Sequence, residues 1–177
     1  FRDIEALGQY LQAVEQEGRS PEDVLTVLRA RGRDNARTPM QWDGSEQAGF
    51  TTGTPWLAPR DQEQLSVAAQ LGDLGSHLEL YRRLLSVRRN HSALREGTIS
   101  FLSGWDRPHP LVYRRDAGHG DQVIVALNLS ADPVNFVLSG KNNWSVVAGT
   151  DPHRWDAPFP GILRLAPFEA VVLTGPR

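Results

Sequence analysis

The residues best equipped for chemistry gather between positions 33 and 60, where Arg33, Arg37, Trp42 and Trp56 stand among prolines, glycines and polar side chains. A guanidinium presents several donors in a fixed plane and keeps its charge, so one arginine can hold a carboxylate and a neutral hydroxyl together. Arg37, just ahead of Thr38-Pro39, suits a ligand contact or an anchor to backbone carbonyls equally well. The two indoles offer flat faces for stacking, although large aromatics more often pack beneath such a loop. His91, His109 and His119 have no partners at metal-ligand spacing, so no metal site is expected. With no cysteine in the chain there is neither a thiolate nucleophile nor a disulfide framework, which leans toward a reducing, cytoplasmic setting.

The elements that must position these residues can be read from periodicity. Ile4, Leu7, Leu11 and Val14 recur at helical spacing within Arg2 to Glu17, and Gly18 ends the run. Ser20-Pro21-Glu22-Asp23 then supplies an N-cap hydroxyl, a proline at the first helical position and two acids in the first turn. A second helix is expected from Pro21 to Ala30, closing near Gly32. Arg33 to Arg60 keeps no sustained period and reads as a long loop, of the length that usually carries binding or lid functions. Ser76-His77-Leu78-Glu79 has a capping-box pattern, and the apolar residues from Leu78 to Val87 trace a helix to Asn90. Its basic side, Arg82, Arg83, Arg88 and Arg89, reads as a solvated or ion-paired face in preference to a phosphate site.

Beyond Leu94 come short β-rich runs, at Thr98 to Leu102, Leu111 to Arg115, Gln122 to Leu129, Val134 to Leu138, Trp144 to Ala148, Ile162 to Leu165 and Glu169 to Thr174. Turn residues separate them at Ser103-Gly104, His119-Gly120-Asp121, Ser130 to Pro133, Ser139-Gly140 and Pro158 to Gly161. No crossover helices intervene, so an antiparallel sandwich is expected. The 177 residues carry a formal charge of only −2, which lacks the basic surplus of a nucleic-acid partner. No run is long and apolar enough to span a membrane. Phe1 leads straight into helix-like sequence with no initiator methionine, so translation is expected to begin earlier.

Arg33-Asp34-Asn35-Ala36-Arg37-Thr38-Pro39-Met40-Gln41-Trp42-Asp43, with Ala48-Gly49-Phe50-Thr51 and Pro55-Trp56, resembles a signature of the α-glucosidases and oligo-1,6-glucosidases of glycoside hydrolase family thirteen. Phe1-Arg2-Asp3-Ile4-Glu5, Arg31-Gly32, the basic helix and the β-rich half follow in the family's order. The resemblance implies an α+β chain: residues 1–93 as the C-terminal segment of a (β/α)8 TIM barrel and residues 94–177 as an appended antiparallel β-sandwich domain. A complete barrel needs roughly 250 residues, more than the chain has.

The family cleaves α-glucosidic bonds with retention, using paired carboxylates. The resemblance places these upstream of Phe1; Asp34, Asp43, Glu46 and Glu79 match none of the catalytic motifs, so no catalytic residue is expected here. It makes Arg33 a substrate-binding residue, paired with an upstream aspartate and holding the non-reducing end of a small oligosaccharide. Arg37 is the second substrate-binding candidate. No cofactor is implied. Glucosyl-transferring or sugar-isomerising relatives share the loop, and a non-catalytic carbohydrate-binding module is the reading from another class. An exposed aromatic pair on one face of the β domain would favour that module. Asn128-Leu129-Ser130 and Asn143-Trp144-Ser145 match the glycosylation sequon, a pattern that often arises by chance.

Overall fold

The computed structural model describes residues 2–103, 110–138 and 143–175. His109 lies outside them, and the expected turns at Ser103-Gly104 and Ser139-Gly140 run into undescribed positions. The chain forms two compact units, Phe1–Leu71 and Gly72–Arg177.

The first unit opens with α1, Ile4–Leu11, whose N-cap Asp3 accepts the Glu5 N–H at 3.0 Å. The helix widens into a π-turn over Gln12–Gln16, and Gly18 reverses the chain at φ +66°. Helix α2, Pro21–Arg31, carries the start signals read from the sequence: the Ser20 cap, Pro21 in the first turn, then Glu22 and Asp23. The hairpin closes on Ala6, Ala13, Val24 and Leu28, flanked by Tyr10 and Val14. This corrects the expected inner face. Ile4 is 85% exposed, with Leu7 and Leu11 about half exposed, because the two small alanines let the helices approach. The π-turn also shifts the phase, so that Val14 reaches the inside although Ile4, Leu7 and Leu11 do not.

After a 3-10 turn at Arg33–Ala36, the long loop is pinned by its backbone. Trp42 N–H donates to Ala48 O at 2.8 Å, Val67 N–H to Gln41 O at 2.9 Å, and Ala68 N–H to Trp42 O at 3.0 Å. Gly49 sits at φ +64°, and a Cβ there would lie 2.6 Å from Asp43 Oδ2, so only glycine fits the turn. Hydrogen bonds from the Ser45 hydroxyl and the Ser45 N–H hold the Asp43 carboxyl below its usual range. Two single-turn helices that no periodicity announced, α3 (Gln62–Leu65) and α4 (Val67–Gln70), complete the unit.

The second unit begins with α5, His77–Asn90, capped by Ser76 Oγ, which accepts the Glu79 N–H at 3.2 Å. A short helix, α6 (Ser92–Glu96), follows. The strands are β1 Thr98–Ser103, β2 Leu111–Asp116, β3 Gln122–Leu127, β4 Val134–Val137, β5 Ser145–Gly149, β6 Ala157–Pro158, β7 Ile162–Leu165 and β8 Ala170–Thr174. Every pairing is antiparallel, in a six-stranded sheet of order β1-β2-β3-β8-β5-β6 and a two-stranded sheet of β4 and β7.

The larger sheet carries a buried core on each face of its central strands, while β1 at its edge is exposed, and alternation along β3 assigns its residues. Ile124 and Ala126 join Val112, Val134, Phe136, Trp144, Val146, Leu165, Val171 and Leu173 in a core shared with the β4–β7 pair. Val123 and Val125 face the other way, against Val87, Ala93, Ala148 and Val172. That second core explains why α5 belongs to the β unit and the unit boundary falls at Leu71 and Gly72. Strand β3 stops at Leu127, short of the expected Leu129, because Asn128 turns the chain. Its Nδ2 donates to Asp132 O and Ala166 O, and its Oδ1 accepts from the Ser130 N–H and hydroxyl.

Candidate functional site

In the first unit the structure builds a charged cluster around Arg33. The Arg33 fork closes on Asp3 through two bonds of 2.6 Å, Nε to Oδ2 and Nη2 to Oδ1. Nη2 also lies 2.8 Å from Glu5 Oε2. The aspartate that meets Arg33 within this chain is therefore Asp3, 30 residues earlier. Asp3 is 5% exposed while Arg33 is half exposed, so the arginine covers a carboxylate and still presents an edge to solvent.

Asp34 helps to hold this pair in place. Asp34 Oδ2 accepts the Arg2 N–H at 2.7 Å and the Asp3 N–H at 3.4 Å, which ties the 3-10 turn to the start of α1. Asp34 Oδ1 is buried with no hydrogen-bond partner. Hydrogen bonds from Arg33 lower the Asp3 carboxyl to about 2, against burial, which acts in the opposite direction; the Glu5 N–H and the charges of Arg33 and Arg37 add to the lowering. The Arg33 guanidinium is raised above its usual value by the same pair. Arg37 is exposed and contributes through its charge on Asp3. A cavity of about 320 Å³ adjoins the cluster, lined among others by Asp3, Glu5, Gln9, Arg31 and Arg33.

The sequence pointed to Arg33 and Arg37 but not to Asp3 or Glu5. Asp3 and Glu5 entered the sequence reading only as part of Phe1-Arg2-Asp3-Ile4-Glu5 in the resemblance, since nothing local relates positions 3 and 33. Trp42 and Trp56 differ from their expected packing role: Trp42 is 52% exposed, because the hydrogen bonds that fix it run through its backbone, and Trp56 is similarly open. Among the described residues no three His, Asp or Glu side chains lie together as a metal group. No described helix is long and apolar enough to cross a membrane.

The β unit holds one aromatic pair that bears on the binding-module alternative. Phe101 and Tyr113 meet with ring centroids 6.2 Å apart and planes at 62°, an edge-to-face contact with no single flat platform for a sugar ring. Asn128, first residue of a sequon, is 2% exposed with its amide fully engaged. Expressed in a glycosylating host, the chain is expected to carry no glycan at Asn128; a peptide mass showing the modification would contradict this burial.

His91, Ser92 and Asp121 superficially offer the residue types of a nucleophilic triad. The geometry is different: Asp121 takes the centre, with Oδ1 2.9 Å from His91 Nδ1 and Oδ2 accepting from Ser92 Oγ at 2.6 Å and Ala93 N–H at 3.0 Å. A relay needs the base between the other two. Asp121 is instead a helix cap supplied from the β2–β3 turn. Burial pushes its carboxyl up, but the Ser92, His91 and Ala93 donors outweigh this and hold it well below the ordinary carboxylate range.

The description "Alpha amylase, catalytic domain" matches residues 5–97. An oligo-1,6-glucosidase of Parageobacillus thermoglucosidasius is 41% identical over 139 residues, covering 78% of this chain and 24% of that protein. A trehalose-6-phosphate hydrolase of Escherichia coli (strain K12) is 33% identical over 175 residues, covering 97% of this chain and 30% of its own length. Among solved structures, trehalose-6-phosphate hydrolase from Bacillus licheniformis superposes with a TM-score of 0.81 at 26% identity, over 100% of this chain and 32% of that one. Trehalulose synthase from Pseudomonas mesoacidophila MX-45 does so with a TM-score of 0.81 at 31% identity, over 99% and 32%. The chain thus spans about a quarter to a third of the length of these proteins. With a catalytic-domain match over more than half of its residues and a relative 33% identical over 97% of its length, the chain belongs to the α-amylase family, glycoside hydrolase family thirteen.

Proposed function

We propose that this chain is the C-terminal part of a retaining α-glucosidase that removes terminal α-linked glucose from short oligosaccharides, and that it lacks the catalytic carboxylates. The observation that carries the reading is the Arg33–Asp3 fork, in which a half-exposed arginine is oriented by a buried aspartate. Arg33 then holds the non-reducing glucose by its hydroxyls, with Asp3 fixing the plane of the guanidinium. Arg37 stands beside it as the second substrate contact. In this reading residues 1–93 continue the catalytic barrel and residues 94–177 form the appended β domain, with α5 packed on that domain. The cysteine-free composition supports a cytoplasmic setting.

The test is glucose release from maltose and isomaltose by the 177-residue chain and by a version preceded by a family barrel segment. Release is expected from the longer protein only. Turnover by the chain alone, abolished by substituting one of its own carboxylates, would overturn the proposal. The likeness to trehalulose synthase favours one second reading, transfer to a sugar acceptor, which the same assay separates by yielding a rearranged disaccharide instead of free glucose.

A further inference from the structure

We propose that a cavity of about 310 Å³ in the β unit, between the end of α5, the start of α6 and the β2–β3 turn, binds a phosphate group. Its walls include Arg89, Asn90, Ser92, Arg95, His119 and Asp121. The charge balance of these walls carries the argument. Arg82 is paired with Glu79, Arg83 with Asp156, and Arg88 is bonded to the carbonyl of Leu94. Arg89, the remaining arginine of that helix face, has neither an ion pair nor a hydrogen-bonded side chain among the described residues, and its guanidinium is exposed at the cavity.

Among the described residues Asp121 is the only carboxylate on the wall, and its oxygens are engaged by His91, Ser92 and Ala93. The Ser92 and Ala93 donors offset part of the negative charge it would turn toward an anion. The C-terminal carbonyls of α5 would oppose an anion, but Arg95 donates to the carbonyls of Arg88 and Arg89 and so answers them with positive charge, part of which it shares with Glu96, whose Oε1 lies 3.9 Å from its Nε. His119 is exposed on the opposite wall, at φ +52° between two glycines that are also left-handed. The cavity therefore presents a guanidinium, a second guanidinium fixed by the helix end and an imidazole, against acceptors that are already taken. An acceptor-rich dianion of phosphate size answers that set, and Arg89 can meet it with two parallel donors.

The experiment titrates inorganic phosphate into the full 177-residue chain at constant ionic strength, balanced with chloride, following the His119 ring protons by NMR and the heat of binding. A second arm uses a hexose phosphate at matched concentration. Saturable binding with a shift at His119 is expected, weakened at least about tenfold by Arg89→Gln, which removes a charge-assisted donor pair. Arg82→Gln, which removes a paired arginine outside the cavity lining, is expected to leave affinity unchanged. Tighter binding of the hexose phosphate would assign the site to sugar phosphates, and equal binding to free phosphate. His119→Asn tolerates the left-handed backbone and serves as the second variant should Arg89→Gln lower the melting temperature. Absence of saturation, an equal response to chloride, or unchanged affinity in both variants overturns the proposal.

Discussion

Phe136→Ala is expected to destabilise the β unit by about 3–5 kcal/mol, the range for emptying a buried aromatic site. Phe136 is 1% exposed and lies against Phe159, with ring centroids 5.2 Å apart at 41°. It sits on β4, whose sheet contains only β4 and β7. Two strands alone are marginal in water, so this pair depends on the apolar side chains it sets into the core of the six-stranded sheet. Phe136 is the largest of those fully buried, and its loss weakens both the local core and the attachment of the layer. For a unit of this size the midpoint of thermal unfolding should drop by upwards of about 12 °C. Ile162→Ala, on the exposed side of β7 in register with Val137, is the control and should change stability by less than about 0.5 kcal/mol. Equal effects of the two substitutions in a denaturant series would show that the two-stranded layer is not held as described.

The second large effect concerns acid. The Asp3 carboxyl titrates at about 2 in the folded chain, against an ordinary value of 3.8, because ionised Asp3 is held by Arg33. A depressed carboxylate contributes stability that is fully present above its unfolded value and is lost as pH falls through its folded one. The stability owed to this pair should therefore be level above about pH 5 and decline from there toward pH 2. Followed through the Asp3 carboxyl carbon by NMR, Arg33→Gln is expected to move the midpoint back up toward the ordinary range and to flatten the acid dependence of the first unit. Arg33→Lys should restore it only in part, since an ammonium cannot make both bonds of the fork. A wild-type midpoint near 3.8, or one indifferent to Arg33→Gln, would remove the basis for treating the pair as the organising contact of the site. Following Asp3 itself matters because Asp43 and Asp121 are also lowered and add to any bulk acid response.

The family was legible in the residues themselves, because the run from Arg33 to Asp43 combines residue types and order that chance does not assemble. So were the local elements whose causes are local: the Ser20-Pro21 start of α2, the Ser76 cap of α5 and the alternating strands. These are decided within a few residues by hydrogen-bond and side-chain geometry, and sequence carries them directly. Tertiary structure decided what depends on contacts between distant positions. It brought Asp3 against Arg33, turned Ile4, Leu7 and Leu11 outward in favour of Ala6 and Ala13, and drew α5 and α6 onto the β sheet through Val87 and Ala93. It also made Asp121, in a turn between strands, the cap of a helix. No local pattern encodes these outcomes. A carboxylate takes whichever donor folding delivers, and an apolar stripe is buried only if packing provides it with a partner.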